Sequence, residues 1–157
     1  MPSIHVTTFI AAPIDIVFNL SRHIGLHKIS QQDHKEEAVA GITSGLIQQG
    51  ESVTWKAKHL FKTRFMTVEI TDMKKPDYFE DVMSKGDFVS YAHKHHFKQI
   101  DNGTIMIDEV SFESPHGYLG KVVNRFYLTG YMKSLIQKRN ETIRLYAESN
   151  KWEALLG

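Results

Sequence analysis

Tyr91-Ala92-His93-Lys94-His95-His96-Phe97-Lys98-Gln99, then Asp101-Asn102-Gly103, then Thr104-Ile105-Met106-Ile107-Asp108-Glu109-Val110-Ser111-Phe112: the fold turns on this stretch. Its first half sets Tyr91, His93, His95 and Phe97 against Ala92, Lys94, His96 and Lys98. Its second half sets Met106, Asp108, Val110 and Phe112 together. A period of two marks a strand with one covered face, and the lysines mark the other face as solvent. Asn102-Gly103 signals a tight hairpin, because both residues tolerate positive φ. Strands joined by so short a link run antiparallel, since a parallel crossover takes a dozen residues or more.

The same pattern extends upstream. Strands are predicted over Phe88–Gln99 and Thr104–Phe112, and before them over Glu36–Ala40, Ser52–His59, Thr63–Met73 and Asp77–Ser84. Turn residues separate them at Gly45 to Gly50, Lys74-Lys75-Pro76 and Lys85-Gly86-Asp87. Ile4–Ile10 alternates as well and supplies a further strand. Pro13 suits a first helical position, and Ile14, Val17, Phe18 and Leu20 follow at helical spacing. A second short helix is predicted within Gly25 to Gln32.

After Ser114-Pro115-His116-Gly117 the period changes to three and four. Val122, Phe126, Met132, Ile136, Arg139, Ile143 and Tyr146 recur on one stripe, widened by Leu119, Val123 and Leu135. One amphipathic helix from Leu119 to about Asn150 would run roughly 48 Å, and only the sheet offers it a surface that long. The predicted class is α+β: a seven-stranded curved antiparallel sheet in the order β-α-α-β6-α, wrapped around a long C-terminal helix.

The 157 residues suit one domain. Apolar residues make up 41% and charged residues 24%, which is ordinary globular composition. With no cysteine, disulfides and thiolate metal sites are excluded. The net charge is +1 with no block of like charge, so the footprint of a nucleic-acid binder is missing. No run approaches the roughly 18 apolar residues of a membrane helix, and the N-terminus does not read as a secretory signal. A soluble cytoplasmic protein is expected. Asn19, Asn102 and Asn140 begin Asn-x-Ser/Thr triplets, read as chance. Nine histidines are the one compositional oddity.

The sheet face toward the helix collects Trp55, Phe79, Met83, Tyr91, Phe97, Met106, Val110 and Phe112. It also collects five polar exceptions: His59, Asp81, His93, His95 and Asp108. A lone buried carboxylate costs several kcal/mol, so these groups pair with one another, face a cavity or act on something. Paired histidines and aspartates satisfy each other in the plainest reading. Polar lining of a pocket is the second. Two histidines plus an aspartate as an open metal site is the third, but no compact ligand motif supports it, and no metal or cofactor is expected.

Taken together, these motifs resemble one family. Phe79-x-Asp81-x-Met83-x-x-Gly86-x-Phe88, His93-x-His95-x-Phe97 and Gly103-Thr104-x-Met106-x-Asp108-x-Val110-x-Phe112-x-x-Pro115-x-Gly117-x-x-Gly120, with Gly50-Glu51-x-Val53-x-Trp55 and His59, are similar to the START-like helix-grip superfamily. The branch is the SRPBCC group of polyketide cyclase-like, lipid-transfer-like and pollen-allergen-like domains. The resemblance implies an apolar cavity between sheet and helix, with Trp55, Phe79, Met83, Phe97, Met106 and Phe126 on its wall. Tyr91, Val110, Phe112 and the five polar residues complete the expected lining. Fold alone leaves function open. The first expectation is a carrier or sensor of an apolar small molecule. The alternatives are a cyclase- or hydrolase-like enzyme in which His95 with Asp81 or Asp108 acts as general base, and a protein-interaction module. The oligomeric state and the role of the Trp152–Leu156 tail are not legible in the sequence.

Overall fold

A computed structural model describes residues 3–114 and 127–157. The alternating segments form one antiparallel seven-stranded sheet: β1 (Ser3–Ile10), β2 (Glu37–Gly41), β3 (Ser52–His59), β4 (Lys62–Lys74), β5 (Tyr78–Lys85), β6 (Ser90–Ile100) and β7 (Gly103–Glu113). Their order across the sheet is β1-β7-β6-β5-β4-β3-β2. β2 to β7 are therefore a meander, and β1 joins beside β7, pairing Val6 with Asp108 and Thr8 with Met106. Bounds differ from the sequence reading by one or two residues, where ladder pairing outruns the alternating pattern.

Between β1 and β2 lie α1 (Ile14–Ser21), α2 (Ile24–Ser30) and a single 3₁₀ turn at Gln32–His34. Pro13 sits at the N-cap of α1, with φ −61° and ψ 147°, one position earlier than predicted. His23 caps α2, its Nδ1 accepting from the Leu26 N–H at 3.2 Å. Phe18 on α1 meets Phe79 and Phe97 of the sheet edge to face, with centroids 5.6 and 5.2 Å apart. That contact seats the short helices on the core.

The described part of the C-terminal helix, α3, spans Thr129–Ala147. Its 19 residues are about 28 Å long. It ends before Asn150 because Ser149 Oγ donates to the Leu145 and Tyr146 carbonyls and stops the ladder. The predicted start, with Leu119, Gly120, Val122, Val123 and Phe126, lies outside the described residues, as does Gly117. The tail forms a separate short helix, α4 (Trp152–Leu156). Trp152, Leu155 and Leu156 pack against the core of their own chain.

Two turns depart from expectation. The β6–β7 hairpin forms where Asn102-Gly103 predicted it, but neither residue has positive φ. Ile100 pairs with Gly103, which makes Asp101-Asn102 the loop. Glycine is needed at 103 for space: a Cβ there would lie 2.3 Å from the Ile10 carbonyl oxygen. The positive-φ turn is instead at Leu60-Phe61, with φ 53° and 65°, between His59 and its partner Lys62. Both are poor residues for that conformation, and Phe61 is fully exposed. Replacing Leu60-Phe61 by Asn-Gly is expected to raise stability by about 1 kcal/mol or more, read as a higher urea midpoint at unchanged m-value.

Candidate functional site

Strand pairing builds the polar group. Register sets Asp81 of β5 opposite His93 of β6, and His95 of β6 opposite Asp108 of β7. The side chains bond diagonally. His93 Nε2 donates to Asp108 Oδ1 at 2.7 Å, and His95 Nε2 donates to Asp81 Oδ2 at 2.7 Å. The two imidazoles stack, with centroids 3.7 Å apart and planes 16° apart. Phe79 stacks on His95 in turn, at 4.0 Å and 12°.

The helix supplies what the sheet lacks. Arg139 Nη2 donates to Asp108 Oδ1 at 2.9 Å, and Asn140 Nδ2 donates to Asp108 Oδ2 at 2.7 Å. Arg139 Nε and Nη2 also donate to Asn140 Oδ1, and Arg139 Nη1 lies 3.3 Å from His95 Nδ1. Asn140 reaches on to Thr8 Oγ1 of β1 at 3.1 Å. Asp108 has no exposed surface at all. Burial alone would raise its pKa; the Arg139 charge and the bond from His93 outweigh that and hold it well below the usual range. Burial would raise Asp81 too, but the bond and charge of His95 overcome it and leave the carboxyl lowered. His93 is pushed down to about 4, by burial and by the neighbouring His95, so its imidazole is neutral at pH 7.

A cavity of about 600 Å³ opens between the inner sheet face, α2 and α3. Of the sequence-selected residues, Trp55, His59, Phe79, Asp81, Tyr91, His93 and His95 line it. Phe97, Met106, Val110 and Phe112 do not; they are buried in the packed layer at the same face. Alternation reports the face a residue points from, and says nothing of depth. Asp108 is sealed behind Arg139 and His93, Met83 is half-buried off the wall, and Phe126 lies outside the described residues. The wall gains Gln31, Met66, Tyr131, Met132, Ile136 and Arg139, which the sequence reading did not select. For Arg139 a signal existed: a charge in the middle of the apolar stripe. Gln31 Oε1 is buried with no partner among the described residues.

The five inward polar residues fall into two groups. His59 stands apart from Asp81, His93, His95 and Asp108. Its Nδ1 lies 2.8 Å from the Tyr131 hydroxyl, and its ring packs on His34 at 4.6 Å. Burial, with His34 beside it, lowers the His59 pKa. Close by, His27 Nε2 meets the buried Glu36 at 2.6 Å.

Asp81, His93 and His95 bring one potential ligand atom each within 4.8 Å of one another. The stacking argues against a metal. Two near-parallel imidazoles cannot both aim in-plane lone pairs at an ion about 2.0–2.1 Å from each nitrogen. His95 also has both nitrogens engaged.

The architecture is the helix-grip fold of START-like proteins, a curved antiparallel sheet holding a C-terminal helix. No family profile and no curated protein sequence matches the chain. Solved structures do. A protein of Thermus thermophilus superposes with TM-score 0.73 at 19% identity, covering 94% of this chain and 100% of its own. The major latex-like protein 151 of Panax ginseng gives 0.70 at 13%, covering 94% and 98%. A START superfamily protein of Mycobacterium smegmatis gives 0.70 at 9%, covering 93% and 97%. No described helix is long and apolar enough to cross a membrane.

Two outcomes follow from the buried network. Arg139→Met leaves Asp108 as an uncompensated buried charge and is expected to cost about 3–5 kcal/mol; adding Asp108→Asn recovers part of that, measured by denaturant unfolding. Acid is destabilising as well. His93 has a folded pKa near 4, below its ordinary 6.5, so the unfolded chain takes up a proton first. Its contribution is complete above about pH 6.5 and is lost as pH falls toward 4. Asp81 and Asp108, lowered from 3.8, add to the loss further down. His93→Gln keeps a donor for Asp108 and flattens the stability slope between pH 6.5 and 4; an unchanged slope would place the titration elsewhere.

Proposed function

We propose that the chain binds an apolar small molecule in the cavity between sheet and α3, as a carrier or sensor. The observation behind this is the cavity's size and wall taken together. About 600 Å³ is within the ordinary range for small-molecule pockets. Trp55, Met66, Phe79, Met132, Leu135 and Ile136 give it apolar sides, and a few polar groups converge at two places.

Base catalysis fits the geometry less well. His95 is held between Asp81 and Arg139 with both nitrogens in use. His93 is the better oriented base, with Asp108 behind its Nε2, but a pKa near 4 makes it a weak one at neutral pH. A protein-docking role for the outer sheet face is disfavoured by its exposed Lys58, Lys94 and Lys98.

The two tryptophans give a direct test. Trp55 lines the cavity, whereas Trp152 packs against the core and is not part of the cavity wall. 1-Bromonaphthalene, a contact quencher, is expected to quench saturably in the wild type and in Trp152→Phe, and not in Trp55→Phe. Quenching that follows Trp152, or none in Trp152→Phe, would contradict the cavity as the binding place.

A further inference from the structure

The inner end of the cavity has hydrogen-bonding capacity that the described residues leave unused. His93 donates Nε2–H to Asp108, so its Nδ1 carries a lone pair; that atom has no partner among the described residues. Asp81 accepts from His95 on Oδ2, and its Oδ1 is free in the same sense. Tyr91 lies two residues before His93 on the same face of β6 and lines the cavity; no hydrogen bond joins it to Asp81, although the Asp81 charge acts on it. Burial keeps that phenol protonated. Arg139 uses four of its five N–H groups on Asp108, Asn140 and His95 and keeps one on Nη1. His93, 5% exposed, and Arg139, also 5%, both line the cavity. The unused set is therefore two acceptors and two donors.

Ligand head groups sort against that set. A carboxylate or phosphate would face the Asp81 carboxylate and the His93 lone pair. A carbonyl only accepts, which leaves both acceptors unmet. An ammonium only donates and would bring a second buried cation beside the Arg139 guanidinium. A metal ion meets the stacking objection given above. Of these groups only a hydroxyl, with one proton to give and two lone pairs to offer, uses both halves without adding charge.

We propose that this end of the cavity recognises a neutral alcohol or phenol at the leading end of an otherwise apolar ligand, with Asp81 accepting its one proton and Tyr91 and Arg139 as donors to its oxygen. This rests on the cavity reading above and adds the head-group chemistry to it. Phe79, stacked on His95, puts an apolar wall beside the polar set, so the hydroxyl is shielded from water and its bond to a carboxylate counts for more.

Dissociation constants for 2-naphthol, naphthalene and 2-naphthoate, measured by equilibrium dialysis on the full chain, test it. Expected is 2-naphthol binding about tenfold or more tighter than naphthalene, the usual worth of a bond to a charged acceptor, with 2-naphthoate weaker than 2-naphthol. In Asp81→Asn the naphthol-to-naphthalene ratio should collapse toward one. Thermal melts establish that the variant is folded. Tyr91→Phe, which leaves the Asp81–His95 bond untouched, should lower the ratio by a smaller factor and gives a second reading if Asp81→Asn does not fold. Naphthalene binding as tightly as 2-naphthol, or 2-naphthoate binding best, overturns the head-group proposal while leaving the cavity intact. Failure of all three to bind removes the cavity reading itself. Stoichiometric binding of Zn²⁺ alone, lost in His93→Gln, would replace the proposal by a metal site.

Discussion

Asp108 is a carboxylate with no contact with water, and the grip of sheet on helix is organised around keeping it charged. Three donors reach it from two elements, His93 from β6 and Arg139 and Asn140 from α3, and Asn140 donates as well to the Thr8 hydroxyl of β1. The network ties the helix to the sheet at one depth and one rotation. A hydrophobic stripe alone would let α3 slide by a turn at small cost; a half-satisfied buried charge would not.

The anchor also divides the helix. On the C-terminal side of Arg139, Ile143 and Ala147 enter the main core with Phe18, Phe79, Phe97 and Met106. On the other side Met132 and Ile136 have one flank against Ile4, Val6, Val110 and Phe112, and the other on the cavity. Packing and hollow are thus produced by the same element, on either side of a polar post. His59, Tyr131 and His34 form a second polar group, distinct from the first, and His59 and Tyr131 face the same cavity.

The fold was legible because its signals are local. Period-two alternation identifies each strand, short links force antiparallel pairing, and the switch to helical spacing marks the last element. The polar residues at inward positions were legible as anomalies. Their partners were not. Asn140 reads as part of a chance triplet, and Arg139 reads as one position in an apolar stripe; only three-dimensional proximity to a carboxylate about thirty residues earlier gives either a role. Depth was equally hidden, since Phe79 and Phe97 alternate identically and both are buried, yet only Phe79 lines the cavity. The Leu60-Phe61 turn was missed because it runs against residue preference.

Methionine methyl groups offer the most direct test of the central claim, that apolar ligands enter the hollow beside the polar post. Of the six methionines, Met66 and Met132 line the cavity, while Met106 is fully buried in the packed layer below and Met83 stands off the wall. Titrating naphthalene into protein labelled at the methionine methyls should shift the Met66 and Met132 resonances together and saturably in a carbon–proton correlation spectrum, with Met106 and Met83 nearly still. Shifts confined to Met83 or Met106, or no saturable shift at Met66 and Met132, would contradict it.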